Sequence, residues 1–136
     1  MEAVIDTNVL VYDTIENSPF HNQASRLIDK LSDPIISSIT LVEMGFVLSR
    51  YGLETDKIRK KLNELLDEEW FSISWLSNKF VSDVAMFIVE KNLSFREFND
   101  WIIAYEAGTR KIPLVTFDKD LIKRCDKIGI ETLTKE

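Results

Sequence analysis

Ala3-Val4-Ile5-Asp6-Thr7-Asn8-Val9-Leu10-Val11-Tyr12 is the stretch on which the fold turns. Three apolar residues end at an acid, a polar step Asp6-Thr7-Asn8 follows, and a second apolar run begins at Val9. That pattern predicts a short strand followed by a turn. Downstream, from 21 to 31, Ala24, Leu27, Ile28 and Leu31 recur at helical spacing, and Asp33-Pro34 ends the helix because proline supplies no amide donor. Ile35 and Ile36 form a second short strand. Ile39, Val42, Phe46 and Val47 place a helix over 37–51, stopped at Gly52.

The same reading continues to the end of the chain. Ile58, Leu62, Leu65 and Leu66 line one face of a charged helix over 56–66, and alternation over 70–75 predicts a third strand. Val81, Val84, Ala85, Ile88 and Val89 mark a helix up to Asn92. Asp100 is expected to open a helix over 100–109 with Ile103, Ala104 and Ala107 on one face and Gly108 near its end. An apolar strand over 114–117 leads to Asp118-Lys119-Asp120, a helix covers 121–128, and Gly129 precedes a last strand over 130–133. Short apolar strands alternating with helices are the pattern of a parallel sheet wrapped by helices. The expected fold class is α/β.

The 136 residues are 45% hydrophobic, with four glycines, three prolines and no repeat, which suits one core and one domain over 1–136. Glu2 and Asp6 stand where a signal peptide would be basic and then apolar, and no apolar run approaches membrane-spanning length. A cytoplasmic protein without a membrane partner is expected. A lone Cys125 agrees with a reducing compartment. The net charge of −6 counts against a large basic surface for nucleic acid, yet it suits an enzyme that gathers carboxylates around divalent cations. Three basic clusters (Lys57, Arg59, Lys60 and Lys61; Arg110 and Lys111; Lys119, Lys123, Arg124 and Lys127) each read as a solvated helix face.

Ligands of a parallel α/β sheet collect at the carboxyl ends of its strands. Asp6 follows the first strand, Asp118 follows the strand over 114–117, and Glu43 lies in the first turns of the helix after the second strand. Asp100 opens the helix before that late strand and reaches the same edge only if the intervening chain brings it there. Taken singly, each acid also fits helix capping. Thr40 with Glu43 even spells a capping box, and Asp118 precedes a helix. As a set they point elsewhere, because four close carboxylates repel one another unless cations or protons compensate. Oxygen donors select Mg²⁺ or Mn²⁺, and the single His21, in a polar stretch, reads as a surface residue, so zinc is poorly supplied. Such ions on carboxylates serve mostly phosphate chemistry.

Asp6-Thr7-Asn8-Val9-Leu10, then Ile39-Thr40-Leu41-Val42-Glu43, then Asn99-Asp100-Trp101-Ile102-Ile103-Ala104, then Val115-Thr116-Phe117-Asp118 together resemble the PIN-domain family. The resemblance is closest to its VapC-like toxin branch and covers nearly the whole chain in order. It implies a three-layer α/β/α fold with a short parallel sheet of about four or five strands flanked by helices. It also implies a Mg²⁺- or Mn²⁺-dependent endoribonuclease cutting single-stranded or structured RNA, with Asp6, Glu43, Asp100 and Asp118 as catalytic metal ligands. Asn8, Thr116 and Thr7 would orient those carboxylates; Asp120 is a substitute acid that faces elsewhere once its helix has begun. A small antitoxin partner and a homodimer are further implications. Trp101 and Tyr105 depart from the family's small residues and read as packing rather than base-stacking residues. The apolar Phe20, Leu27, Phe46 and Leu48 are candidates for a partner surface.

Rival readings fail on single positions. A haloacid-dehalogenase phosphatase needs a second Asp two residues after the first, where Asn8 stands, and a receiver domain needs a partner acid for Asp6 closer than Glu2. A PIN-like module that binds RNA or protein without catalysis is the alternative function, and the presence of all four acids opposes it.

Overall fold

The computed structural model describes residues 1–134, so the last two positions of the expected domain over 1–136 lie outside the described residues. The element order is β1 (Glu2–Ile5), α1 (Thr7–Thr14), α2 (His21–Asp29), β2 (Asp33–Ser37), α3 (Ser38–Arg50), α4 (Thr55–Leu65), β3 (Ser72–Ser74), α5 (Asn78–Glu90), a 3-10 turn (Phe95–Glu97), α6 (Phe98–Arg110), β4 (Leu114–Val115), α7 (Lys119–Lys127) and β5 (Thr132–Leu133). All strand pairs are parallel and the sheet runs β3-β2-β1-β4-β5. The α/β class and the short parallel sheet flanked by helices are therefore as expected.

Strand alternation sorts the apolar side chains into two cores. Ala3, Ile5, Ile36 and Val115 point to one face of the sheet, packed with Val9, Leu10, Leu27, Met44 and Leu48 from α1, α2 and α3. Val4, Ile35 and Leu114 point to the other, against Val84, Ile88, Trp101, Ile103, Leu121 and Cys125 from α5, α6 and α7. A period of two along each strand supplies both faces, which is why the strands read as unbroken apolar runs.

Several expectations are corrected. The predicted turn at Asp6-Thr7-Asn8 is the start of a helix: α1 begins at Thr7, and Asp6 caps it by accepting a hydrogen bond from the Thr7 amide at 2.8 Å. An acid with extended backbone directly before helical residues is an N-cap, and Thr7-Asn8 tolerates either state. Asp100 does not open its helix. Ser94 caps a 3-10 turn whose last residue leads directly into Phe98, so Asp100 is the third residue of α6. Helix over 121–128 starts earlier, at Lys119, behind the Asp118 cap. The strands expected over 70–75, 114–117 and 130–133 are shorter, because only the residues in register with a neighbouring strand form ladder hydrogen bonds.

The small face of α6 has a partner. A Cβ placed on Gly108 would sit 3.2 Å from Cγ1 and Cδ1 of Ile130, the residue leading into β5. Alanine there gains helix propensity and asks only that a flexible side chain shift slightly, whereas a branched side chain overpacks. Gly108→Ala is expected to stay within about 1 kcal/mol of the parent and Gly108→Val to cost about 2 kcal/mol, read from urea midpoints. Equal stability of the two variants would refute this packing constraint.

Candidate active site

The chain winds from β1 outward to β3, then returns to lay β4 on the other side of β1. The connections therefore diverge between β1 and β4, and a crevice opens outside their carboxyl ends. Asp6 immediately follows β1, and Asp118 follows β4 after Thr116 and Phe117. Helix α6 packs across β1, β2 and β4 and carries Asp100 to the same edge in its first turn. Glu43 arrives from the second turn of α3. All four acids line one cleft of about 290 Å³, with Thr7 and Asn8 beside them and an apolar wall of Val11, Tyr12, Val47 and Tyr51. A larger hollow of about 740 Å³ beside Lys57, Lys60 and Lys61 holds none of these acids, so chemistry rather than volume singles out the site.

Each carboxylate is held by specific donors. Asp6, 6% exposed, accepts the Thr7 amide on Oδ1 and the Thr116 hydroxyl on Oδ2 at 2.7 Å. The Thr116 Oγ1 in turn accepts the Asp118 amide at 3.1 Å, so a single hydroxyl joins the first and last acids. Asp118 Oδ1 caps α7 by accepting the amides of Asp120 and Leu121 at 2.9 and 3.1 Å. Glu43 Oε1 accepts the Thr7 hydroxyl at 2.8 Å, and the polar Asn99 side chain nearby favours its charged form. The capping-box reading of Thr40 and Glu43 fails: Ser37 caps α3, with its hydroxyl 3.3 Å from the Ile39 amide, and Thr40 faces Thr7. Asn8 Oδ1 lies 3.4 Å from the Phe117 amide and ties α1 to the loop before Asp118.

Burial and crowding act on protons in the same direction. Burial, with the neighbouring Asp100 and Glu43 charges, overcomes the Thr116 hydrogen bond and pushes the Asp6 carboxyl up from 3.8 to about 7. Asp100 rises from 3.8 to about 6, chiefly by burial and then by the Asp118 charge, with Arg124 opposing. Glu43 is also raised, by burial. Such a cluster binds either protons or cations. The donor set is all oxygen, and Asp118 Oδ2 and Asp100 Oδ1 accept no hydrogen bond among the described residues. As placed, no three acidic, His or Cys side chains among the described residues stand close enough together to hold a metal ion. In donor type and in charge needing compensation, the residues fit a hard divalent cation.

The remaining candidates separate cleanly. Asp120 is exposed in the first turn of α7, outside the cleft. His21 is half-buried with Nδ1 3.0 Å from the Tyr12 carbonyl oxygen, away from the acids. Trp101 is fully buried, and Tyr105 is packed edge-on to Phe80 and Phe87 with centroids 5.6 and 5.1 Å away, so both are packing residues as expected. Phe20 and Phe46 are exposed, whereas Leu27 and Leu48 are core. Sequence reasoning did not single out Asn99 or Arg124. Asn99 was legible as the neighbour of Asp100, but nothing in the basic cluster 119–127 distinguishes Arg124, whose Nη2 lies 3.3 Å from Asp100 Oδ2.

Comparison with known proteins bears on the fold and the family. Among curated proteins the sequence has no match. Several solved structures share the fold. The chain superposes with a TM-score of 0.77 on Mycobacterium tuberculosis VapC20, a sarcin-ricin loop cleaving toxin, at 15% identity over 90% of this chain and 94% of that one. A chain of VapBC2 from Rickettsia felis, bound to a DNA fragment from its promoter, gives 0.68 at 22% identity over the whole of both chains. FitAcB from Neisseria gonorrhoeae gives 0.66 at 17% identity, covering 98% and 97%. The sequence profile of the PIN domain matches residues 3–127, nearly the entire chain, and the protein therefore belongs to the PIN domain family.

Proposed function

We propose that the chain is a Mg²⁺- or Mn²⁺-dependent endoribonuclease that hydrolyses phosphodiester bonds of single-stranded RNA, and that it is the toxin of a toxin-antitoxin pair. The observation that carries this reading is the convergence of Asp6, Glu43, Asp100 and Asp118 on one cleft at the divergence of β1 and β4. When bound there, a divalent cation supplies Lewis-acid polarisation of the phosphate and lowers the pKa of water. The four carboxylates would hold it; Thr7 and Thr116 orient Glu43 and Asp6 by their hydrogen bonds, and Asn8 steadies the loop before Asp118 through the Phe117 amide. Tyr12 and the 56% exposed Tyr51 offer rings on the cleft wall that suit unstacked bases.

Similarity to a chain of a VapBC complex and to a sarcin-ricin loop cleaving toxin supports the toxin role and a small antitoxin partner. The exposed Phe20 and Phe46 are apolar side chains for such a partner or for a second copy in a homodimer. No helix among the described residues is long and apolar enough to cross a membrane, and a cytoplasmic setting goes with this reading. In this reading residues 1–136 form one PIN domain.

The test is cleavage of single-stranded RNA by the purified protein with Mn²⁺ or Mg²⁺ and with chelator. Cleavage in metal, abolished by chelator, is the expected result. No cleavage of any RNA together with no Mn²⁺ binding would instead favour the PIN-like binding module. An upstream reading frame encoding a small DNA-binding protein would support the toxin role, and its absence would leave the nuclease alone.

A further inference from the structure

Arg124 is out of place as a solvated residue. Lys119, Lys123 and Lys127 around it on α7 are exposed, while the Arg124 side chain is only 25% exposed. Its guanidinium carbon lies 5.9 Å from the centroid of the fully buried Trp101 ring. Nη2 donates to Asp100 Oδ2 at 3.3 Å. Nε lies 3.2 Å from Glu97 Oε2, close enough for an ion pair but without the alignment of a hydrogen bond. A planar cation on an aromatic face, with an acid on either side, has few alternative positions.

What this arrangement does follows from where α7 starts. Its N-cap is Asp118, whose Oδ1 is bound to the first amides of the helix. Arg124 projects from the same helix onto Asp100. One rigid element therefore touches two of the four acids, one through its N-terminus and the other through a guanidinium. Asp100 Oδ2 is engaged by that contact, and Asp100 Oδ1 is left without a hydrogen bond among the described residues. We infer that Arg124 is a positioning residue: it holds one oxygen of Asp100 so that the other is presented to the cation in register with Asp118. This rests on the proposed metal-dependent function, which it deepens. The rival is a purely structural role, in which the pair with Glu97 ties the 3-10 turn to α7 and the Asp100 contact is incidental.

Mn²⁺ dissociation constants measured by calorimetry at fixed neutral pH distinguish the two, with melting temperatures recorded alongside. Arg124→Ala is expected to weaken Mn²⁺ binding at least about tenfold, in the range found when groups that orient metal ligands are removed. Arg124→Lys keeps the charge but loses the planar fork, and its affinity should fall between wild type and Arg124→Ala. Glu97→Gln breaks the structural ion pair while sparing the Asp100 contact, and its Mn²⁺ affinity should stay within about twofold of wild type while its melting temperature falls. Arg124→Ala binding Mn²⁺ as tightly as wild type would overturn the inference. If Arg124→Ala does not fold, Arg124→Lys decides: wild-type affinity there overturns the inference, and weakened affinity upholds it. Wild-type protein that binds no Mn²⁺ gives a different signature, overturning the metal-dependent reading itself and this inference with it.

Discussion

Asp6→Asn is expected to reduce RNA cleavage by at least about a thousandfold in kcat/KM, roughly 4 kcal/mol of transition-state stabilisation, with the fold intact. Asparagine matches aspartate in shape, and the contacts have room to persist. The Thr7 amide keeps an oxygen acceptor, and the Thr116 hydroxyl can accept from the new amide instead of donating. What is lost is the formal charge at the position nearest the core of the cluster. Because that charge is buried and crowded, its removal relieves the metal-free protein rather than weakening it. Melting temperature above neutral pH, without metal, should therefore be equal to or higher than that of wild type. Activity within tenfold of wild type would remove Asp6 from the chemistry. A collapse of melting temperature would mean that the loss of activity reports unfolding.

The second large effect is an unusual pH dependence of stability in the absence of metal. The folded protein holds protons on Asp6, Asp100 and Glu43 more tightly than the unfolded chain does, since burial raises all three above their ordinary values. With more protons bound in the folded state, stability falls as pH rises. The contribution is fully present below the unfolded value of 3.8 and is lost through about 6 for Asp100 and about 7 for Asp6. For Asp6 the shift corresponds to a contribution on the order of 4 kcal/mol, which cannot simply be added to that of Asp100 because the acids titrate together. A divalent cation at a hundredfold excess over its dissociation constant would return about 2.7 kcal/mol above neutral pH. Melting curves with chelator across this range should decline with pH, more steeply for wild type than for Asp6→Asn, and Mn²⁺ should restore the loss. Equal slopes in both proteins would show that Asp6 carries no such strain.

These outcomes depend on residues that were visible in the sequence to different degrees. Asp6 and Asp118 stand at strand ends, where an apolar run stops at an acid, and local pattern suffices to see that. Capping proved compatible with lining the cleft for both, since each carboxylate receives helix amides and still faces the other acids. For Glu43 the local signal misled, because the apparent capping box with Thr40 lies inside a helix that Ser37 had already begun. The true cap was equally eligible by residue type, and the choice among Ser37, Ser38 and Thr40 was made by where β2 ends against its neighbours.

From the sequence alone came the alternation of strands and helices, the α/β class, the acidic set and the family, because apolar periodicity and motif order are properties of neighbours along the chain. Only the tertiary structure brought Asp100 to Asp6, laid Arg124 between Glu97 and Asp100 over Trp101, and joined Asp6 to Asp118 through Thr116. Those contacts arise from the order β3-β2-β1-β4-β5 and from α6 crossing the sheet. Which charges finally face one another is set by the packing of elements far apart in the chain, a long-range balance of burial and repulsion that no local stretch of residues encodes.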